Sequence, residues 1–439
     1  MKRQLELITC AGGEILREDM NFSEKIQEKE TRIVNLYPGA VGQTVCGFGG
    51  AVTDAAGYVY SLMPEELKRQ LMDLYFGDDG LSYRILRVPI DSCDFSLEMF
   101  EAMSEPDETF KSFSMERELK YILPMLKDAK ATAHGDISLM LSPWSPPAKW
   151  KDNNDRKHGG KLLPQYRALW AEYIIHYVTE FEKRGFPVAY LTVQNEPKAV
   201  QPWDSCVYTD EEEKQFIDDF LKPTLTRTGL DHIRLIGWDH NKERAYEWAR
   251  TLGSSVDGIG CHWYSGDHFE VLDLIRNEFP SHEIMLTESC IEFSHYSKED
   301  SLVNALRLAH ELMGDINHGM SRFIDWNLIL AADGGPNHVG NFCDAPFLYD
   351  IFQKQLDIRP IFDIYHQFAL AMPAGSRRIA SSSYTSDIES AAFIRPDSSL
   401  SVVLMNRSPE EKTVRLRLNE EICEFKLHPR SVRTVILKR

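Results

Sequence analysis

The chain has 439 residues, of which 43% are hydrophobic and 26% charged, and its formal net charge at pH 7 is -18. This length suits a domain of (β/α)8 size with a smaller companion and excludes a single small domain. The acidic balance argues against a nucleic-acid partner, because phosphates bind clustered Lys and Arg side chains. No apolar run is long enough for a membrane anchor, and the eight scattered cysteines, without a CxxC pair, predict free thiols in a reducing compartment.

The first 45 residues predict β-structure rather than helices. Alternation from Thr31 to Tyr37 indicates one or two strands, and the following Pro38-Gly39 indicates a turn that ends them. Glu6 and Glu14 interrupt any apolar core of a signal peptide, so the prediction for this sequence is a cytoplasmic protein.

From Gly47 onward, short apolar strands alternate with amphipathic helices. Helical periodicity is present in PEELKRQLMDLYF, entered at Pro64, and over residues 165–184 and 302–313. Strands are predicted over residues 46–52, 83–90, 136–144, 189–195, 233–239, 256–263, 283–288 and 321–328. Eight strands interleaved with helices predict a closed parallel barrel, whose chemistry collects at the carboxyl ends of the strands.

After about residue 370 the periodicity changes to that of an all-β module. A last helix over residues 361–372 is followed by predicted strands over 388–396, 400–408, 412–419, 423–429 and 431–439. In one of them Val414, Leu416 and Leu418 alternate with Arg415 and Arg417, as a sheet with one solvated face requires. We therefore predict an α/β fold: a (β/α)8 TIM barrel over residues 46–370 with an attached β-sandwich built from both termini, 1–45 and 371–439.

Two carboxylates follow two of the predicted barrel strands. AYLTVQNEP places Glu196 at the end of the fourth strand, and EIMLTESC places Glu288 at the end of the seventh. Two carboxylates at strand ends are the minimum equipment for cleaving a glycosidic bond. Taken alone, each stretch also fits a purely structural role, as a strand-ending turn or a helix cap.

Other strand ends add residues suited to a neutral sugar. They are Asp54, Arg87, Trp144, Asn195, Trp238, His262, Trp326 and Asn327. An indole face stacks on the CH face of a pyranose, whereas Asp, Asn and Arg bind hydroxyls. Trp144 lies in the proline-bounded SPWSPP loop, and Trp203 and Trp326 are predicted near the same rim, although tryptophan is also common in cores. His262 is expected to make structural hydrogen bonds.

Several other chemistries lack their signatures. GFGGAV at 47–52 has Val52 where a dinucleotide fingerprint needs its third glycine, and the DNND segment at 152–155 has Leu163 where a calcium loop needs Glu. Neither HExxH nor GxSxG is present, so we predict neither a metal nor an organic cofactor. A thiol nucleophile at Cys261 or Cys290 remains an alternative, but the sequence places no base beside either residue.

Motifs in chain order resemble glycoside hydrolase family 30, in particular its glucosylceramidase-like branch. They are RVPIDSCDFS (87–96), LSPWSPPAKWK (141–151), VQNEP (193–197), VDGIGCHWY (256–264), TES (287–289), and DWNLIL with GGPNHVGNF (325–342). The resemblance covers nearly the whole chain and implies a barrel with a sandwich built from both termini.

This resemblance also implies site roles. Glu196 would be the acid/base, protonated in the free enzyme, and Glu288 the nucleophile of a retaining enzyme, with Arg87 against it. Sugar-holding roles would fall to Asp94, Trp144, Asn195, Trp326 and Asn341, with Asn195 on the 2-hydroxyl and Tyr264 lining the cleft. The segment after Glu196 departs from the branch's pattern and places Trp203 on the leaving-group side.

The predicted substrate is therefore a small-molecule glycoside, cleaved by an exo-acting β-glucosidase. Alternatives are a β-xylosidase, a β-fucosidase or an endo-acting β-glucanase of the same family, and a sugar-binding protein without turnover. The sequence leaves the oligomeric state open.

Overall fold

The computed structural model describes residues 4–22, 31–103 and 107–438. It begins with strands β1 (Gln4–Ala11), β2 (Glu14–Asn21) and β3 (Ile33–Thr44). β1 and β2 form an antiparallel hairpin, whose turn uses positive φ values at Gly12 and Gly13. The predicted turn at Pro38-Gly39 is wrong: β3 continues to Thr44, and its pairing register shifts there, so these residues form an irregularity within the strand.

Eight parallel strands then close a barrel, as predicted. They are β4 (Gly47–Ala51), β5 (Ile85–Ile90), β6 (Ser138–Pro143), β7 (Val188–Thr192), β8 (Arg234–Asn241), β9 (Gly258–His262), β10 (Glu283–Glu288) and β11 (Arg322–Asp325). β11 pairs with β4 and completes the ring. The glycines of GFGGAV allow this closure, because a Cβ at Gly49 would collide with the carbonyl oxygen of Ile85 on the neighbouring strand.

Helices surround the barrel and cover the apolar faces of its strands. They are α1 (Asp54–Ser61), α2 (Glu65–Phe76), α3 (Glu116–Lys120), α4 (Ile122–Thr132), α5 (Arg167–Lys183), α6 (Asp210–Phe216), α7 (Lys222–Thr228), α8 (Ala245–Leu252), α9 (Phe269–Glu278), α10 (Ser301–Asn317) and α11 (Pro360–Ala371). A π-helical turn over Ile217–Leu221 joins α6 to α7. The periodicity over 165–184 and 302–313 correctly predicted α5 and α10.

The remaining strands form two further sheets. A small three-stranded sheet that the sequence analysis did not predict contains β12 (Leu330–Ala331), β13 (Phe347–Asp350) and β14 (Gln355–Ile358). The tail contributes β15 (Arg377–Ser383), β16 (Ile388–Ile394), β17 (Leu400–Asn406), β18 (Lys412–Leu418), β19 (Glu421–Leu427) and β20 (Ser431–Leu437). These tail strands join β1, β2 and β3 in nine-stranded order β19-β18-β3-β15-β16-β17-β20-β1-β2, which confirms a sandwich built from both termini.

The sandwich has its own core and also packs on the barrel. Leu5, Val34, Leu416 and Val435 are buried in a cluster separate from the barrel core. Phe393 and neighbouring side chains instead face the barrel core, where β16 contacts α10, and β1, β17 and β20 contact α11. The sandwich therefore packs against the outside of the barrel at α10 and α11.

The barrel interior is layered along its axis. Its lower layer is apolar and includes Ile85, Met140, Ile236 and Met285. Above it the inward-facing side chains become polar, beginning with Arg87 of β5. This change of polarity places hydrogen-bonding groups at the end of the barrel where a pocket opens.

Candidate active site

A pocket of about 540 Å³ opens at the carboxyl ends of the barrel strands. It brings together nine of the residues predicted from sequence: Asp94, Trp144, Asn195, Glu196, Trp203, Tyr264, Glu288, Trp326 and Asn341. Arg87 lies beneath them and is fully buried. The volume suits a single sugar ring with a few polar contacts.

Arg87 is the central cation of the site. Its Nη1 donates to Glu288 Oε2 at 2.6 Å, and its Nη2 donates to Asn195 Oδ1 at 2.8 Å and Asp239 Oδ2 at 2.9 Å. Its Nε donates to Ser142 Oγ at 3.0 Å. Burial lowers the pKa of Arg87, but the charges of Asp239 and Glu288 outweigh burial and raise it, so the guanidinium stays charged.

Glu288 is held from a second direction as well. Tyr264 donates its hydroxyl to Glu288 Oε1 at 3.0 Å, while Arg87 occupies Oε2. The Glu288 side chain is 10% exposed and faces the pocket. Two donors on separate oxygens fix this carboxylate in one orientation, with one open side.

Glu196 lies directly after β7 and has a left-handed backbone, with φ 48°. Its amide donates to the carbonyl of Asp239 at 3.0 Å, which anchors the turn. Its Oε1 lies 3.2 Å from His262 Nδ1 and 3.6 Å from His240 Nδ1. The strained conformation therefore directs the carboxylate at two imidazoles.

These imidazoles decide where a proton resides. Burial raises the pKa of Glu196, but the nearby imidazoles of His240 and His262 outweigh burial and lower it below its usual value. Burial likewise lowers the pKa of His262, but the charge of Glu288 and hydrogen bonds with Asp239 and Glu196 raise it to about 9. The lowered pKa of Glu196 and the raised pKa of His262 both favour the imidazole as the proton site, contrary to the expectation that Glu196 is protonated in the free enzyme.

Trp144 and Trp326 form the floor of the pocket rather than free stacking platforms. Their rings stack on each other with centroids 5.4 Å apart, and each side chain is only 2% exposed. The Arg87 guanidinium lies 5.0 Å from the Trp144 ring and 5.4 Å from the Trp326 ring. The two rings therefore pack on each other and on Arg87 as one aromatic layer.

Asp94 lines the wall of the pocket and is 6% exposed. It accepts a hydrogen bond from Asn337 Nδ2 at 3.1 Å. Burial, followed by the charge of Glu288, raises the pKa of Asp94 to about 8. At neutral pH this carboxyl group is therefore protonated and can donate a hydrogen bond to a ligand oxygen.

The rim carries Asn341 and Trp203. The backbone N–H of Asn341 donates to Asn337 Oδ1 at 3.1 Å, and its side-chain Nδ2 donates to Glu292 Oε1 at 3.4 Å. Trp203 is half-buried and packs against the aromatic floor. Both residues line the pocket.

Five of the predicted strand-end residues do not line the pocket. Two of them, Arg87 and His262, contact its carboxylates, and the other three serve elsewhere. Asp54 begins α1 and pairs with Arg117 at 2.9 Å, Trp238 packs on the Trp248 ring at 4.3 Å, and Asn327 accepts from Thr53 at 2.6 Å. These side chains connect the strand ends to the surrounding helices and loops.

The sequence analysis also missed Asp239 and His240. Asp239 is fully buried and accepts from Arg87, and its other oxygen lies 3.2 Å from His262 Nε2. The pairing of β8 with β9 is irregular between Trp238 and His240, and Trp238 and Asp239 both have positive φ. This bulge turns Asp239 inward, a displacement that strict strand alternation does not predict.

The cysteines at the site do not resemble nucleophiles. Burial raises the pKa of Cys261 and Cys290, which disfavours their thiolates. Cys290 Sγ lies 3.2 Å from Cys343 Sγ and 3.4 Å from the Tyr264 hydroxyl, in the wall of the pocket.

Within the described ranges, no helix has the length and apolar character needed to cross a bilayer.

The strand ends of this (β/α)8 barrel bring two carboxylates, amides and aromatic rings together around a sugar-sized pocket. This is the architecture of a glycoside hydrolase. The chain belongs to glycosyl hydrolase family 30: the family's TIM-barrel model matches residues 45–371 and its β-sandwich model matches residues 375–435. It is therefore a glycosidase, as the motifs of the sequence suggested.

Relatives fall into more than one activity class. Lysosomal acid glucosylceramidase of Mus musculus is 30% identical over 403 residues, which are 86% of this chain and 78% of the mouse protein. Endo-1,6-beta-D-glucanase BGN16.3 of Trichoderma harzianum is 25% identical over 390 residues, 83% of this chain and 78% of that protein. The crystal structure of SrfJ from Salmonella typhimurium superposes with a TM-score of 0.94 at 33% identity, covering 100% of both chains.

Proposed function

We propose that this protein is a retaining, exo-acting β-glycosidase that hydrolyses terminal β-glucosides. Glu288 is the nucleophile and Glu196 the acid/base. The observation that carries the proposal is the shared contact of both carboxylates with His262 Nδ1, 3.2 Å from Glu196 Oε1 and 3.9 Å from Glu288 Oε1. Retaining enzymes hold the two groups about 5–5.5 Å apart and inverting enzymes about 6.5–9.5 Å. The contacts of 3.2 Å and 3.9 Å keep the two Oε1 atoms within about 7 Å of each other, which excludes most of the inverting range and favours the retaining one.

The held carboxylate suits nucleophilic attack. Glu288 keeps one oxygen on Arg87 and one on Tyr264, so the lone pair facing the pocket attacks the anomeric carbon. Glu196 gives a proton to the departing glycosidic oxygen, and a covalent glycosyl-enzyme ester forms on Glu288. Water then attacks that carbon, Glu196 takes its proton, and the sugar is released with its original configuration.

Glu196 needs a proton before the first step. His262 Nδ1, 3.2 Å away, is positioned to supply it, and Asp239 holds the opposite ring nitrogen at 3.2 Å. Leaving-group departure draws the proton onto the glycosidic oxygen. In this proposal the imidazole stores the proton that Glu196 transfers.

The sugar is proposed from the pocket wall and from the relatives. Asp94 and the free amide nitrogen of Asn195 both point to hydroxyl recognition, because the carbonyl oxygen of Asn195 is already occupied by Arg87. The mouse relative's name, glucosylceramidase, favours a β-glucoside. β-Xyloside and β-fucoside are the nearest alternatives: xylose lacks the hydroxymethyl group of glucose, and D-fucose lacks its 6-hydroxyl and has the opposite configuration at C4.

An endo-acting β-1,6-glucanase is the second candidate. The pocket shares Tyr264, Glu292 and His295 with an 870 Å³ groove that runs between the barrel and the sandwich. An open groove beside the sugar pocket suits a substrate longer than one ring. The name of the Trichoderma harzianum relative favours the same activity.

A panel of nitrophenyl β-glycosides, with β-1,6-glucan oligomers beside it, tests the substrate. We expect kcat/KM for the β-glucoside to exceed those for β-xyloside and β-fucoside. A tenfold preference for another sugar, equal to about 1.4 kcal/mol, would replace glucose in the proposal. Internal cleavage of the oligomers would favour the glucanase, and no turnover of any substrate would favour a sugar-binding protein.

Azide rescue tests the two carboxylate roles. Glu288→Gly should lose turnover and, with azide, form a glycosyl azide of inverted configuration. Glu196→Ala should keep activity on a nitrophenyl substrate, whose leaving group needs little protonation, and azide should then give the β-azide. The reverse pattern of products would exchange the roles.

Two further statements remain proposals. The domain boundaries of 46–370 for the barrel and 1–45 with 371–439 for the sandwich can be tested by limited proteolysis. The predicted cytoplasmic location can be tested by cell fractionation.

A further inference from the structure

Glu196, His240 and His262 form a group of potential metal ligands at the mouth of the barrel. One ligand atom from each residue lies within 4.8 Å of the other two. Glu196 Oε1 is 3.2 Å from His262 Nδ1 and 3.6 Å from His240 Nδ1. His240 Nδ1 is buried and has no hydrogen-bond partner among the described residues, so it has an unused lone pair or proton facing Glu196.

The two spacings from Glu196 are close to those around a small tetrahedral ion. Zinc binds imidazole nitrogen and carboxylate oxygen at about 2.0–2.2 Å, which places neighbouring ligand atoms about 3.3–3.6 Å apart. Two imidazoles and one carboxylate are also the ligand set of known zinc sites. Calcium and magnesium prefer oxygen ligands, so this group selects against them.

The surroundings of His262 add a second, independent feature. Its Nε2 lies 3.2 Å from Asp239 Oδ1, which leaves Nδ1 as the nitrogen that faces Glu196. Asp239 is itself fixed by Arg87 at 2.9 Å and by Thr287 at 2.6 Å. A carboxylate on the outer nitrogen of a histidine is the arrangement that orients metal-binding imidazoles.

We propose that Glu196, His240 and His262 bind one Zn²⁺ ion, and that this ion inhibits the enzyme reversibly. A zinc ion at this position would occupy the Oε1 lone pair of Glu196. Glu288 Oε1, 3.9 Å from His262 Nδ1, is the nearest candidate for a fourth ligand. Binding depends only on these side chains, whereas inhibition also rests on the proposed role of Glu196 as acid/base.

Calorimetric titration of the full-length protein with Zn²⁺, after EDTA treatment and buffer exchange, tests binding directly. We expect a site of unit stoichiometry whose Kd rises at least tenfold in His240→Gln. The matched control is His310→Gln, because His310 contacts two carboxylates, Asp267 at 3.1 Å and Glu389 at 2.6 Å, away from the pocket. An unchanged Kd in His240→Gln, or a loss of binding in His310→Gln, would overturn the assignment.

Two more measurements separate binding from its consequence. Zn²⁺ should raise the melting temperature of the wild type and of His310→Gln more than that of His240→Gln, which also shows that each variant is folded. Zn²⁺ should inhibit hydrolysis of a nitrophenyl β-glucoside with a constant equal to the calorimetric Kd, and EDTA should restore activity. Tight binding without inhibition would preserve the metal site and contradict the role of Glu196, whereas absence of binding would refute the site alone.

Discussion

Arg87→Met removes the cation that pairs with both Asp239 and Glu288. Arg87 is fully buried and pairs with Asp239 and Glu288, whose side chains are 0% and 10% exposed. Removal of one partner from a buried ion pair costs about 3–5 kcal/mol, because the remaining charge cannot regain its hydration. Glu288 still faces the pocket and its water, whereas Asp239 does not. We therefore expect the free energy of unfolding to fall by about 3–5 kcal/mol, chiefly through Asp239.

Urea unfolding at pH 7 measures this loss, and a second substitution identifies its origin. In Arg87→Met/Asp239→Asn the buried carboxylate charge that has lost its arginine is gone, so the double variant should be more stable than Arg87→Met by at least about 1 kcal/mol. The control is Arg244→Met, since Arg244 is 45% exposed and pairs with the 59% exposed Glu247. That surface change should cost less than about 1 kcal/mol.

The two buried-site variants should differ in stability, and both should lose activity. Both lack the donor on Glu288 Oε2, so kcat/KM should fall at least tenfold in each, about 1.4 kcal/mol of transition-state binding. Two results would show that the charge Asp239 keeps without Arg87 is not the source of the loss. One is that Arg87→Met lowers the free energy of unfolding no more than Arg244→Met does. The other is that adding Asp239→Asn to Arg87→Met restores no stability.

Two further variants test the pocket. The pKa of Asp94 in the folded protein is raised to about 8, first by burial and then by the charge of Glu288, so the folded state holds a proton that the unfolded chain loses near pH 4. The contribution of Asp94 to the free energy of unfolding of the wild type therefore falls as pH rises from 4 to 8. Because Asp94→Asn lacks this titrating group, its melting temperature minus that of the wild type should rise over the same window. Asp136 has an 84% exposed side chain, so the difference in melting temperature between Asp136→Asn and the wild type should not change with pH. A difference for Asp94→Asn that does not change with pH would contradict the raised pKa of Asp94. Cys290→Ser should keep kcat within about threefold, because less than 1 kcal/mol of barrier is at stake if the thiol takes no part, and a thiol-dependent hydrolase would instead lose turnover.

The barrel could be predicted from sequence because each of its strands is a short apolar run that ends in polar residues. β10 matches its predicted bounds, and the other barrel strands differ from theirs by a few residues. The local sequence predicted a turn at Pro38-Gly39, but these two residues interrupt β3 without ending it. Pairing with β15 and β18 keeps that strand extended, and such long-range pairing is invisible to a local pattern.

The candidate site was predictable where residue type and strand end coincide, as at Glu196, Glu288 and Arg87. It was not predictable where the backbone departs from regular alternation. Asp239 ends a predicted strand, but only the bulge in β8 reveals that its side chain turns toward Arg87. The protonation of Glu196 depends on His240 in the same way, because a pKa is set by neighbours in space.

The carboxylates of the site share cations rather than each having its own. Arg87 links Glu288 to Asp239, and His262 links Asp239 to Glu196, so the two pocket carboxylates are connected through one fully buried aspartate. Both cations approach from the barrel interior or its wall, which leaves the pocket side of each carboxylate open. Two cations thus balance most of the charge of three carboxylates before substrate arrives, so the charged side chains need little reorganisation when a glycosidic bond is cleaved. This arrangement explains why Asp239, which does not line the pocket, is as firmly fixed as the residues that do.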